Sequence, residues 1–217
     1  MPHASAPLSL KLCPRMSMKF FLIPLLIFAS LSSNAQTSFE GAIIYSISVT
    51  SLVEGIPDSE FQKNYGHQQT VFYKEGYTKV ELTNGDDVWE IYISKENKQY
   101  VNFPGSKKVE VFDGADETRT LASIKDEPSD LKVIGYRTRR LTIEYEDGSV
   151  SKYWYSSNIY IDPMQFQNLK FAFLNKYWEK AQSPYLRHER ITDVTKVIYL
   201  ATNIQEKSLS NKIFDVD

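Results

Sequence analysis

From Phe39 onward, apolar and polar residues alternate with a period of two between turn-forming residues. Ile43, Tyr45, Ile47 and Val49 interleave with Ile44, Ser46, Ser48 and Thr50, predicting a strand that ends near Gly55-Ile56-Pro57. Thr70–Tyr73 and Tyr77–Leu82 follow around Lys74-Glu75-Gly76, which predicts a three-residue hairpin with glycine at the positive-φ position. Asn84-Gly85 leads into Val88–Ser94, with Trp89, Ile91 and Ile93 on one face. Further strands are predicted over 99–103 and 109–113. Short strands at this spacing describe an antiparallel, β-rich fold.

Residues 114–130 hold five acidic side chains and few apolar anchors, which predicts a short helix or loop, with strands resuming at Leu131–Tyr136. Leu141–Glu146, Asp147-Gly148 and Ser149–Tyr155 form the clearest hairpin. A two-residue Asp-Gly turn there sets Tyr145 opposite Val150 and Leu141 opposite Trp154, and leaves Lys152 on the apolar face opposite Ile143. Residues 163–181 change period. Asp162 suits a cap, Pro163 the first helical position, and Phe166, Leu169, Phe173, Tyr177 and Ala181 form one stripe beside Leu174 and Trp178. Two strands follow, near 186–191 and 196–204. The expected fold is α+β and mainly antiparallel: a curved sheet or half-open β-barrel packed on one long amphipathic helix, with a second short helix.

The N-terminal region follows another rule. Phe20–Leu31 is a run of about a dozen apolar positions broken by Pro24 and Ser30, preceded by Lys19 and followed by Ser33 and Ala35. That arrangement predicts a secretory signal peptide over residues 1–35. The run is shorter than the ~20 residues of a membrane span. Residues 1–15 read as an over-long start ahead of Met16 or Met18. Cleavage after Ala35 leaves residues 36–217 as a single β-rich domain, exported to the periplasm or beyond, soluble, and with no transmembrane segment. No cysteine follows the apolar run, so a lipid anchor has no acceptor thiol.

Composition narrows the chemistry. The whole chain carries 25 basic and 27 acidic residues. Loss of Lys11, Arg15 and Lys19 with the leader leaves a net charge of −5, which excludes a nucleic-acid partner held by phosphate neutralisation. The sole cysteine, Cys13, departs too, so thiol catalysis is closed. There is no Gly-x-Ser-x-Gly elbow and no paired metal-ligand spacing, so no catalytic residue, metal or cofactor is assigned. His67 and His188 lie in polar and charged surroundings and are expected at the surface. Asp113, Asp116 and Glu117 lack the alternation of a calcium loop. Arg137 and Arg139 share a strand face and are candidate ligands for an anionic group, although such residues commonly just solvate an outer face. Trp89, Trp154, Phe166, Phe173, Tyr177 and Trp178 are candidate linings of an apolar cavity.

Three segments carry a family resemblance. Phe39-Glu40-Gly41-x-Ile43-x-Tyr45 follows the apolar leader. Ile134-Gly135-Tyr136-Arg137-Thr138-Arg139-Arg140 leads toward Trp154-Tyr155, and the chain closes on Ala201-Thr202-Asn203-Ile204 and Ile213-Phe214-x-Val216. Together they resemble exported envelope proteins of unknown function, related to the secreted families named for a Gly-Leu-Pro-Gly-Leu-Ile (GLPGLI) motif. That motif has no counterpart here, where 182–187 reads Gln-Ser-Pro-Tyr-Leu-Arg, and Thr138 stands where a cysteine is often found. The resemblance implies a half-barrel like that of the periplasmic lipoprotein carriers. The expected function is non-catalytic binding of an apolar or acyl ligand. The alternative is an interaction or scaffold module that contacts another envelope protein and has a filled core.

Overall fold

Eleven strands build one antiparallel sheet in the computed structural model, which describes residues 36–83, 87–106 and 108–216. The leader expected over 1–35 and the expected Asn84-Gly85 turn lie outside the described residues. The strands are β1 (Gly41–Ser51), β2 (Gln68–Lys74), β3 (Tyr77–Thr83), β4 (Asp87–Ile93), β5 (Lys98–Asn102) and β6 (Glu110–Asp113). They continue with β7 (Leu121–Val133), β8 (Tyr136–Tyr145), β9 (Val150–Tyr155), β10 (Tyr185–Ile191) and β11 (Thr195–Glu206). Their spatial order is β6-β5-β4-β3-β2-β1-β11-β10-β9-β8-β7. Two meanders, β1–β6 and β7–β11, are therefore joined by the pairing of β1 with β11, and the sheet is open, with β6 and β7 at its edges. Among the described residues no helix is long and apolar enough to cross a membrane.

Alternation in the sequence becomes alternation in burial. In β1, Ile43, Tyr45, Ile47 and Val49 are buried while Ser46, Ser48 and Thr50 are exposed. Their partners continue the same face: Val71 opposite Ile43, and Ala201 opposite Tyr45. The outer face of β2–β5 is covered by the C-terminal tail, where Leu209 and Phe214 pack with Ile91, Trp89 and Tyr77. Glu40 ties that tail down by accepting from the Leu209 N–H at 2.6 Å, and this hydrogen bond, helped by Lys74, holds its carboxyl below the usual range.

Two strand limits move, β1 stopping at Ser51 rather than near Gly55 and Ile134-Gly135 forming the β7–β8 turn rather than strand, and four larger sequence expectations change. The helix expected over 163–181 is three pieces: 3-10 turns at Pro163–Phe166 and Phe171–Phe173, then α2 at Leu174–Ala181. Asp162 does cap the first turn through the Met164 N–H. Beyond it, Ala172 and Phe173 take left-handed backbone angles (φ 46° and 59°) that interrupt the helical ladder. Lys170 N–H donates instead to Gly114 O, and the Ala172 carbonyl accepts from the Tyr145 hydroxyl. Tertiary partners thus replace helical ones. The second short helix is α1 (Asp58–Tyr65), packed on β1, while most of 114–130 belongs to strand β7. The β2–β3 turn is two residues, Glu75-Gly76, because Lys74 pairs with Tyr77.

The fourth change has the largest structural effect. The β8–β9 loop is three residues long, since the Tyr145 N–H donates to Ser149 O and the Gly148 N–H to Tyr145 O. Gly148 sits at φ +80°, and the Asp147 carboxylate accepts from the Ser149 N–H. One extra loop residue shifts the register by one and moves every β9 side chain to the other face. Tyr153, not Trp154, therefore stands opposite Leu141, and Lys152 pairs with Thr142 away from Ile143. Gly148→Ala places a Cβ on a left-handed residue and is expected to lower stability by about 1–2 kcal/mol, read from urea unfolding. An unchanged midpoint would mean the loop adopts another register.

Candidate functional site

The inner faces of β2–β5 and β9–β11 and the 163–181 connection enclose a cavity of about 290 Å³. Period-two geometry decides what it receives: Gln69, Val71 and Tyr73 from β2, Glu90 and Tyr92 from β4, Ser151 and Tyr153 from β9, His188 and Arg190 from β10. The connection adds Phe166, Leu169, Leu174, Tyr177 and Trp178.

One wall is an aromatic stack. Phe166 lies on Trp178 at 4.1 Å between ring centroids and 15° between planes, and Tyr92 stacks on Phe166 at 5.8 Å. Tyr177 leans on Tyr153 at 4.6 Å. Hydroxyls that would be costly to bury are satisfied within the protein. Tyr45 donates to Tyr185 O at 2.7 Å, Tyr177 to Ser183 O at 2.6 Å, and Gln69 Nε2 to the Tyr185 hydroxyl at 2.9 Å. Burial pushes the Tyr45, Tyr177 and Tyr185 phenols well above their usual range, and Tyr92 up to about 12.

The other wall is polar. His188 lies between Tyr153 (4.2 Å, 11°) and Tyr199 (5.5 Å, 15°), and its buried Nε2 has no hydrogen-bond partner. Burial, with help from Arg190, lowers its pKa to about 3. This corrects the surface placement expected for His188: its charged neighbours Arg187 and Glu189 pair with each other on the opposite face. His67 is exposed. Across the cavity, burial pushes the Glu90 carboxyl up, against a hydrogen bond from Gln99.

Of the six aromatic candidates, Phe166, Tyr177 and Trp178 line the cavity. Phe173 packs on Tyr145 in the core but outside the lining. Trp89 is on the outer face of β4, under the C-terminal tail. Trp154 is on the outer face too, moved there by the hairpin register, with the Arg187 guanidinium 5.0 Å from its ring centre. Arg137 is exposed, and Arg139 is engaged by Asp126 at 3.1 Å and by the Tyr155 hydroxyl, so both stand apart from the cavity. Tyr153, His188, Arg190 and Glu90 were not singled out as cavity residues. For Glu90 and Tyr92 the alternation was visible, but the greasier Trp89-Ile91-Ile93 face drew the assignment. For β10 charged residues occupy both faces, so no pattern pointed inward.

No protein-family model matches the chain, and no curated protein matches it. Among solved structures it is similar to PNGF-II in its C2 crystal form, at 11% identity and a TM-score of 0.42. That likeness covers 80% of this chain but 29% of PNGF-II, so the chain spans under a third of that protein's length.

Proposed function

We propose that this chain is an exported, soluble envelope protein that binds an apolar or acyl ligand without chemistry, inside a half-barrel. The cavity carries the reading. Its volume of about 290 Å³ lies just under the ~300–1,000 Å³ typical of small-molecule pockets, and an aromatic wall facing a few polar groups is their usual make-up. Chain length supports the half-barrel. Ten inter-strand steps of ~4.8 Å would put β6 and β7 some ~48 Å apart in a flat sheet. Eight residue steps, Asp113 to Leu121, reach at most ~29 Å. The 163–181 connection also bonds near both edges, through Lys170 to Gly114 and through Ala172 to Tyr145 on β8. Export rests on the Phe20–Leu31 run and its flanks, and kinship with secreted envelope families on the three quoted segments.

The interaction-module alternative draws on β6, whose four residues are all exposed, with Val111 and Phe112 beside exposed Phe103. Native mass spectrometry after gentle purification from the envelope separates the readings. A bound apolar mass in the protein peak is the expected result. A consistently empty protein that also ignores neutral apolar dyes would overturn the carrier reading.

A further inference from the structure

We propose that the cavity selects a single-chain amphiphile with an anionic head, and that Arg190 anchors that head. The inference rests on the cavity being a binding site and adds the class of ligand. Arg190 lines the cavity from β10, directly across the ladder from Ser151. Among the described residues its guanidinium has no hydrogen-bond or ion-pair partner. Asp147 acts on it only through space, behind its closer partners Ser149 and Arg119, so a cation that lines an apolar pocket keeps its fork of donors for an incoming carboxylate or phosphate.

The neighbouring acids are already engaged. Glu189, next in sequence, points to the opposite face and pairs with Arg187 and Lys196. Asp147 is held by Ser149 and lies 3.7 Å from Arg119. Arg119, the cavity's second cation, is occupied by Asp147 and Ser149 and lies over the Tyr145 ring at 4.7 Å. Glu90 is the acid on the facing wall, hydrogen-bonded by Gln99, and its burial favours the neutral form, which weakens its opposition to an anion. The aromatic wall of Phe166, Trp178 and Tyr92 supplies the surface for the tail. The small volume favours one chain over a diacyl lipid.

The test uses the purified chain and displacement of neutral N-phenyl-1-naphthylamine by decanoic acid, decan-1-ol and decyl phosphate. The wild type is expected to prefer the acid or the phosphate to the alcohol by about tenfold or more, the usual worth of a charge-assisted pair. Arg190→Gln should abolish that preference while alcohol binding persists, which also shows the variant is folded, and Arg190→Lys should retain part of it. Whichever anion binds tighter names the head. Equal binding of acid, phosphate and alcohol by the wild type, or an unchanged preference in Arg190→Gln, overturns this proposal alone. Failure of the dye and of all three amphiphiles to bind overturns the cavity reading, and this proposal with it.

Discussion

Tyr177→Ala is expected to lower the unfolding free energy by about 3–5 kcal/mol, the range for truncating a large buried aromatic. Tyr177 is 1% exposed, leans on Tyr153, meets Trp178 edge to face, and donates to Ser183 O. It is the point at which α2 is fastened to both β9 and the segment entering β10. Tyr177→Phe separates the contributions: it keeps the ring contacts, forfeits one buried hydrogen bond, and should cost only about 1 kcal/mol. Urea unfolding of both variants is the measurement. A loss below about 1 kcal/mol for the alanine variant would mean that α2 is not anchored through this ring.

The comparison of sequence with structure turns on what period-two patterning can specify. Wherever one face was plainly apolar, as in β1, the strand and its buried side were legible, because a one-residue slip would expose the whole apolar set, although β1 stops at Ser51, short of the Gly55-Ile56-Pro57 turn. The β8–β9 hairpin shows the limit. Asp147-Gly148 announced a turn, but loops of two and three residues use the same pair, and Tyr153-Trp154-Tyr155 offers an aromatic to either face. The choice was made by hydrogen bonds of Tyr145 and Ser149, and it exchanged Tyr153 for Trp154 at the cavity. In the 163–181 segment the apolar stripe correctly marked Phe166, Leu169, Tyr177 and Ala181 as buried. It could not show that Gly114 and the Tyr145 hydroxyl, both distant in sequence, would replace helical hydrogen bonds. Arg190 and His188 were hidden for a related reason: their strand carries charge on both sides, and only its neighbours decide which side is enclosed.

His188 gives the second large effect. In the unfolded chain an imidazole titrates near ~6.5. In the folded protein, burial and then Arg190 bring His188 to about 3. Between these two values the unfolded state holds a proton that the folded state refuses, so the stability present above pH ~6.5 is lost as pH falls toward 3. The slope is at most ~1.4 kcal/mol per pH unit and the loss on the order of 5 kcal/mol across the window. The tyrosines around the ring, Tyr153, Tyr185 and Tyr199, are all pushed up and stay neutral throughout. His188→Phe keeps a flat ring between Tyr153 and Tyr199 and removes a buried Nε2 that bonds to nothing. At pH 7 the variant is expected to be at least as stable as the wild type, since no hydrogen bond at that atom is broken. Acid titration of carboxylates affects both proteins alike. The difference between their urea-derived stabilities at pH 7, 6, 5 and 4 therefore isolates the histidine, and it should widen steadily in favour of phenylalanine. A difference that stays flat over that range would mean that His188 takes up its proton in the folded protein, which requires water or a counter-charge at the cavity wall beside it.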